Sequence, residues 1–383
     1  MTDEPLRSEL RAWLAETFTP EIRQAVGRRT DEGFDAHRKW NATLVDAGWG
    51  AVAWPATFGG RDASLPEQLA YNEEMAEVGA PGPVNAIGVA NIAPAIMTYG
   101  TPEQQERYLR PMLRGDEIWS QGMSEPEAGS DLASLRCRAV VDGDDFLVTG
   151  QKTWNSNGDR ANWCQLYVRT NPEVPKHQGI TCLLVDMTTP GIEVRPIKTM
   201  AGDSGFAEVF FDEVRVPRSA LLGSVDDGWS VATRTLSNER AGVATMYLHL
   251  RRKLDRLLDA AAQPGPDGRR PADDPVARHA LAARSIDVRL LELLAKRSIG
   301  AALAGKPPGA EGSVIKVAWS SSDQALTTTA VDVLGMAALD DGWAREMCAS
   351  RSLSIAGGTT EVNKNIVAER VLGLPREPKA GDS

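Results

Sequence analysis

Cysteine and histidine are both scarce in this 383-residue chain, with four of each. Cys137, Cys164, Cys182 and Cys348 form no CxxC pair and there are only four His, so no zinc site is expected and no metal site is assigned. Their spacing suits reduced thiols in a cytoplasmic protein rather than a disulfide framework. Positive charge is short as well: 42 Lys and Arg against 52 Asp and Glu leave a net charge of −10. A nucleic-acid partner needs a basic face to neutralise phosphates, so that class is set aside. A small anionic substrate held by a few local cations is not excluded. Long apolar runs are also missing. No stretch approaches the ~20 residues of a membrane span, and MTDEPLRSELRAWL at the start has no apolar signal core. No membrane partner is expected. What is present is ordinary globular usage, 42% hydrophobic and 25% charged, in a chain long enough for two or three domains of about 150 residues.

The chain reads as helical, then β, then helical. Leu6, Leu10, Trp13 and Leu14 repeat at helical spacing, and Trp40, Leu44, Val45 and Trp49 continue the pattern until Pro55 and Gly59-Gly60. A helix is expected over 65–78, and NAIGVANIAPAIMTYG reads as a buried one. In TPEQQERYLRPMLRG, Thr101 is the cap, Pro102 the first helical residue, and Glu103 and Gln104 fill the first turn. From about Trp119 the texture changes. RCRAVVDGDDFLVTGQKTW alternates around an Asp-Gly turn, a hairpin signal, and NWCQLYVRT, GITCLLVDM, GIEVRPI and AEVFFDEVRVP are further strands. After Gly228 the helical period returns. One long helix is expected from about Trp229 to Leu258, a break at QPGPDGRRPADDP, and two or three more helices starting near Val276, Ser313 and Val362. The end, PREPKAGDS, reads as a frayed tail.

Four segments hold residues suited to chemistry, and each has a plainer reading. The run SQGMSEPEAGSD, Ser120 to Asp131, supplies hydroxyls and glycine-freed amides that can cradle phosphates or bond a polar ring. The same residues make an ordinary turn network. KTWNSNG places Trp154 two residues before Ser156 on one strand face, able to stack on a planar ring and bond its edge. It equally describes an interior aromatic beside a surface hydroxyl. Glu239, followed by Arg240, falls in an apolar helical stripe of Trp229, Ala232, Leu236, Val243, Met246 and Leu250. Desolvation there would suit a carboxylate to act as a base near neutral pH, and a structural salt bridge would use the same residue. The loop AGGTTE, Ala356 to Glu361, opens a helix, and its amides favour an anion or a polarised carbonyl, or simply cap the helix.

In this order the segments resemble the acyl-CoA dehydrogenase family over nearly the whole chain. SEPEAGSD is similar to the family's T-E-P-x-A-G-S-D, with Ser124 in the Thr place. GQKTWNSNG is similar to G-x-K-x-W-I-T-N, with Ser156 in the Thr place, and AGGTTEVNKNIVAERVLG to the family's G-T-S-x-I-x-R-N-x-I-A-E-R ending. The resemblance implies an α+β fold: an N-terminal helical domain (1–118), a central β domain (119–225), a C-terminal four-helix bundle (226–373) and a tail (374–383). It also implies non-covalently bound FAD, an acyl-CoA substrate, a homo- or heterotetramer, and electron-transfer flavoprotein or a similar acceptor. Carried over residue by residue, Met123 and Ser124 would bond the flavin edge, and Ser130 would lie near the pyrophosphate and the acyl-CoA. Trp154 would pack on the flavin with Ser156 near N5, and Thr359 and Glu361 would lie near the adenosine. Arg240, Gly357 and Gly358 would face the substrate.

Two departures shape the expectation. Many members carry the catalytic base as Glu in Y-E-G-T, where this chain has Gly357. The family's other location is an E-R pair on the first long bundle helix, so Glu239 is the expected α-proton base. The R-x-x-F-G-x-x-L stretch that lends an Arg to a neighbour's FAD is absent. In its place stands AAAQPGPDGRRPADDP, with Arg269 and Arg270 as the nearest cations and Asp332 where a Gln is usual. Comparable losses occur in actinobacterial steroid-degrading members with two kinds of subunit. The expected function is α,β-dehydrogenation of an acyl-CoA, a bulky, branched or steroid-derived acyl group included. The alternatives are a partner subunit that lacks a complete site alone, and a flavin oxidase or monooxygenase on this fold.

Overall fold

Local capping chemistry starts most of the amino-terminal helices. In the computed structural model, which describes residues 3–241, 245–265, 268–306, 309–340 and 342–376 but not the side chains of 236–241 and 340, these are α1 (Glu4–Thr17), α2 (Pro20–Val26), α3 (Asp31–Asp46), α4 (Leu65–Val78), α5 (Ala93–Tyr99) and α6 (Pro102–Arg114). The Thr101 hydroxyl accepts from Gln104 N–H at 3.3 Å while the Gln104 side chain accepts from Thr101 N–H at 3.1 Å, satisfying two otherwise orphaned donors at the start of α6. Ser64 and Glu67 form the same reciprocal box at α4. The segment expected as one buried helix before Gly100 is helical up to Tyr99 and buries Val89, Ile92, Ala93 and Ile96, with one wide turn, Gly88–Ile92, running into α5.

The strands are β1 (Trp119–Gly122), β2 (Arg138–Asp142), β3 (Asp145–Ser156), β4 (Trp163–Arg169), β5 (Ile180–Asp186), β6 (Ile192–Ile197), β7 (Phe206–Pro217) and β8 (Leu221–Leu222). They form one mixed sheet in the order β6-β7-β3-β2-β4-β5-β8, with β1 added in parallel to β4. The β2–β3 hairpin pairs Asp142 with Asp145, so its two-residue loop is Gly143-Asp144, and Gly143 supplies the positive φ of 62°. Two apolar layers explain why β4 and β5 are nearly continuous apolar runs rather than alternating ones. Cys164, Leu166, Leu183 and Val185 pack with Phe146, Val148, Val209 and Val214 on one side. Tyr167, Ile180, Cys182 and Leu184 pack with Trp119, Ile96 and Met112 on the other. Cys137, Cys164, Cys182 and Cys348 are free thiols, and burial pushes those of Cys137 and Cys164 up to about 11.

The carboxyl-terminal helices are α7 (Gly228–Ala241), α8 (Met246–Ala262), α9 (Pro275–Leu303), α10 (Glu311–Leu334), α11 (Ala337–Asp340), α12 (Trp343–Ser350) and α13 (Thr360–Ile366). The helix expected over 229–258 is thus α7 and α8, with 242–244 outside the described residues. Helix α12 was not anticipated; it is short, and it is anchored by the buried Trp343, with the Arg256 guanidinium 3.8 Å over the ring. The chain divides into two compact units: Met1–Thr199 with Asp203–Glu239, and Met200–Gly202 with Arg240–Ser383. The first holds the amino-terminal helices, the sheet and α7 as far as Glu239; the second holds the end of α7 and α8 to α13. Among the described residues no helix is long and apolar enough to cross a membrane.

One charge cluster within the second unit predicts a pH dependence. Glu292, 5% exposed on α9, is ringed by Arg251, Arg289 (2.8 Å) and Lys296 (2.7 Å). Its burial opposes ionisation, but hydrogen bonds from the three cations prevail and hold its pKa down at about 2. A lowered carboxylate pKa stabilises the fold above the unfolded value, and that contribution is lost as pH falls through the folded one. The cations are about half exposed, so roughly 1–2 kcal/mol is expected. Glu292→Gln should lower stability at pH 7 and flatten the acid limb between about pH 4.5 and 2, as read by denaturant titration at stepped pH.

Candidate functional site

The segments around Ser124 and Trp154 meet in the first unit. Thr153 N–H donates to the Ser124 carbonyl at 2.9 Å, which docks the SEPEAGSD loop on the end of β3. Beneath it lies a buried ion pair. Lys152, fully buried, donates from Nζ to Glu125 Oε1 at 2.8 Å and to the Met123 carbonyl at 3.0 Å. Glu125, 7% exposed at its side chain, also accepts from the backbone N–H of Arg136 (2.6 Å) and Cys137 (2.8 Å). Reciprocal backbone bonds between Glu125 and Ala128 close the loop into a tight turn. Met123 and Ser124 are held half-buried, and the Ser124 N–H and hydroxyl have no partner among the described residues.

Trp154 owes its exposure to a bulge. Lys152 pairs with Val209 and Asn155 with Ala207, so β3 carries one extra residue against β7. The inserted turn of backbone puts Trp154 at φ 61°, a costly conformation for a bulky L-residue, worth roughly 1–3 kcal/mol. It also flips the alternation: Lys152 and Asn155 are fully buried, Trp154 is 59% exposed and Ser156 is half-buried. The indole makes an edge contact with Phe206 at 5.9 Å. Neither the indole N–H nor the Ser156 hydroxyl is bonded among the described residues. Ser130 is exposed on the same loop as Ser124. Its neighbour Asp131 bonds Lys176 at 2.7 Å and Ser134 at 2.5 Å, and these bonds hold its carboxyl below the usual range.

The second unit carries the glycine loop. Gly357 and Gly358 both take positive φ, 66° and 88°, a conformation that only glycine adopts without strain. Thr359 caps α13 by accepting from Val362 N–H at 3.2 Å, and Glu361 is exposed in its first turn. Lys316 on α10 is buried and donates to the carbonyls of Gly358 (2.7 Å) and Leu353 (2.9 Å). Asn363 bonds the Gly358 and Thr359 carbonyls at 2.9 and 3.0 Å. Glu125, Lys152, Lys316 and Asn363 were all missed from sequence. The only signal was a charged or amide residue inside an otherwise apolar or motif-bearing stretch.

Position 239 lies on α7, one turn beyond Thr235, which is buried together with Val231 and Ala232. The Glu239 and Arg240 side chains themselves lie outside the described residues, as does Val243 of the expected stripe.

Comparison with known proteins follows the same three-part layout. Residues 2–116, 120–214 and 226–372 match the N-terminal, middle and C-terminal domain models of acyl-CoA dehydrogenases. The acyl-CoA dehydrogenase IpdE1 of Mycolicibacterium smegmatis is 38% identical, over 98% of this chain and 99% of that protein. Among solved structures, the ChsE4-ChsE5 complex from Mycobacterium tuberculosis superposes with a TM-score of 0.84 at 34% identity, covering 98% of both chains. The Tcur3481-Tcur3483 steroid ACAD gives 0.84 at 30% identity, again over 98% of both. The family is FAD-dependent. With matches along all three domains and a relative this close over its full length, the chain belongs to the acyl-CoA dehydrogenase family and is an acyl-CoA dehydrogenase oxidoreductase.

Proposed function

We propose that the chain binds FAD and dehydrogenates a bulky, steroid-sized acyl-CoA, with Glu239 as the α-proton base. The observation that carries this reading is the Ser124–Trp154 wall: an N–H and hydroxyl at Ser124 and a hydroxyl at Ser156 that are unpartnered among the described residues, and an exposed indole held out by a bulge. That donor set fits the polar edge and flat face of a flavin, whose bound form would accept the substrate's β-hydride. Ser124, Met123 and Ser156 would hold the ring edge, and Trp154 would cover its face. On this reading Ser130 would serve the pyrophosphate and the acyl-CoA, and Thr359 and Glu361 would serve the adenosine. Backbone amides of Gly357 and Gly358 polarise the thioester carbonyl, acidifying the α-carbon. Glu239 then takes the α-proton, with Arg240 facing the substrate beside it. Gly357 cannot serve as the base, because it lacks a carboxylate and its φ of 66° disfavours any side chain there.

Assembly with a homologous chain is part of the proposal. The sequence lacks the usual Arg-bearing stretch and places Asp332 where a Gln is usual, close to where an anionic pyrophosphate would sit. Two structural neighbours, the ChsE4-ChsE5 complex and the Tcur3481-Tcur3483 steroid ACAD, each pair two named chains. The chain should be purified alone and with a homologous chain, reconstituted with FAD, and titrated without oxygen with acyl-CoAs from short to steroid-sized. Flavin absorbance that bleaches with the bulky thioesters, most fully in the mixed assembly, is the expected result. No flavin uptake in either preparation would overturn the reading, and a full response by the chain alone would remove the partner.

A further inference from the structure

Lys152 has a second partner besides Glu125, the Met123 carbonyl. The Glu125 carboxylate already accepts two backbone N–H groups, from Arg136 and Cys137, whereas the Met123 carbonyl receives its charge-assisted bond from Lys152. That carbonyl and the Ser124 N–H belong to one peptide group. A cation bonded to the oxygen of a peptide draws electron density from its nitrogen and strengthens the N–H as a donor. The Ser124 N–H is the end left without a partner among the described residues. The ammonium is fully buried, so its field at this peptide is little screened by water.

We propose that Lys152 acts as a positioning and tuning residue for the cofactor, polarising the Met123–Ser124 peptide so that its N–H binds the electron-rich reduced flavin better than the oxidised one. The inference rests on the proposed function, because it needs FAD at this edge. It assigns Lys152 a role beyond holding the loop in place. A purely structural pair would be replaceable by neutral residues with no effect on redox behaviour.

The test is the double variant Glu125→Gln/Lys152→Met in the full chain, with its partner chain if the wild type requires one. It removes both buried charges and keeps an amide oxygen for one of the Arg136 and Cys137 N–H groups, which bond separate oxygens of Glu125. The readouts are far-UV circular dichroism, the dissociation constant for oxidised FAD, and the flavin midpoint potential from a dye-coupled titration. A folded double variant should lose at least about tenfold more affinity for reduced than for oxidised FAD, a shift to more negative potential of about 30 mV for a two-electron couple. Glu125→Gln alone keeps the ammonium, strips its counter-charge, and should move the potential the opposite way. That single variant decides the matter if the double variant fails to fold. A folded double variant at the wild-type potential, or a Glu125→Gln protein whose potential is unchanged or lower, overturns the inference. If the wild type takes up no FAD, it is the functional reading that fails.

Discussion

Replacing Glu239 by Gln is expected to slow flavin reduction by acyl-CoA by roughly 10²- to 10⁴-fold, the range for removing a positioned general base. Gln keeps the size and a hydrogen-bonding head but cannot take a proton. FAD content should be unchanged, because the Ser124–Trp154 wall that is proposed to hold the ring lies on other elements. The measurement is single-turnover bleaching under anaerobic conditions, which separates the chemical step from product release. The helix register supports the choice: positions 231, 232 and 235 of α7 are buried, and 239 continues that line by one turn. Arg240 is proposed to face the substrate without taking the proton, so Arg240→Gln should alter the response to thioester concentration more than the limiting rate. A Glu239→Gln protein that bleaches at the wild-type rate would return the base to an unassigned residue.

Much of the fold was legible because its signals are local. Thr101, Pro102 and Gln104 lie within four residues, and the hairpin turn at Gly143 sits between two alternating strands. Capping and turn chemistry need nothing from the rest of the chain. The site was legible only in outline. Trp154 and Ser156 could be picked out, but the extra residue that exposes the indole is defined by pairing with β7, some fifty positions away. Lys152 and Glu125 stand 27 residues apart in segments already singled out, yet nothing in either segment says that they meet. Helix α12 was missed for a related reason. Its eight residues carry too short a period to read, and Trp343 becomes an anchor only when α8 brings Arg256 over the ring.

The ion pair gives the largest stability effect expected in the first unit. Lys152→Met on its own removes the ammonium and leaves the Glu125 carboxylate 7% exposed, with two backbone N–H groups as its partners. Desolvating a charge is costly, and breaking a buried pair from one side typically destabilises by about 3–5 kcal/mol. The Met123 carbonyl loses its donor at the same time, so the loop that presents Ser124 should loosen first. Thermal unfolding of the FAD-free chain should therefore begin several degrees lower than in the wild type, with early proteolytic nicking between β1 and β2. Glu125→Gln/Lys152→Met should recover part of the loss, since it buries no unpaired charge but leaves one backbone N–H and the Met123 carbonyl unbonded. If the single Lys152→Met protein melts with the wild type, the carboxylate is stabilised adequately by the Arg136 and Cys137 amides alone. The ammonium would then be dispensable for the fold, and any change in flavin affinity seen in that variant would be assigned to the Met123–Ser124 peptide.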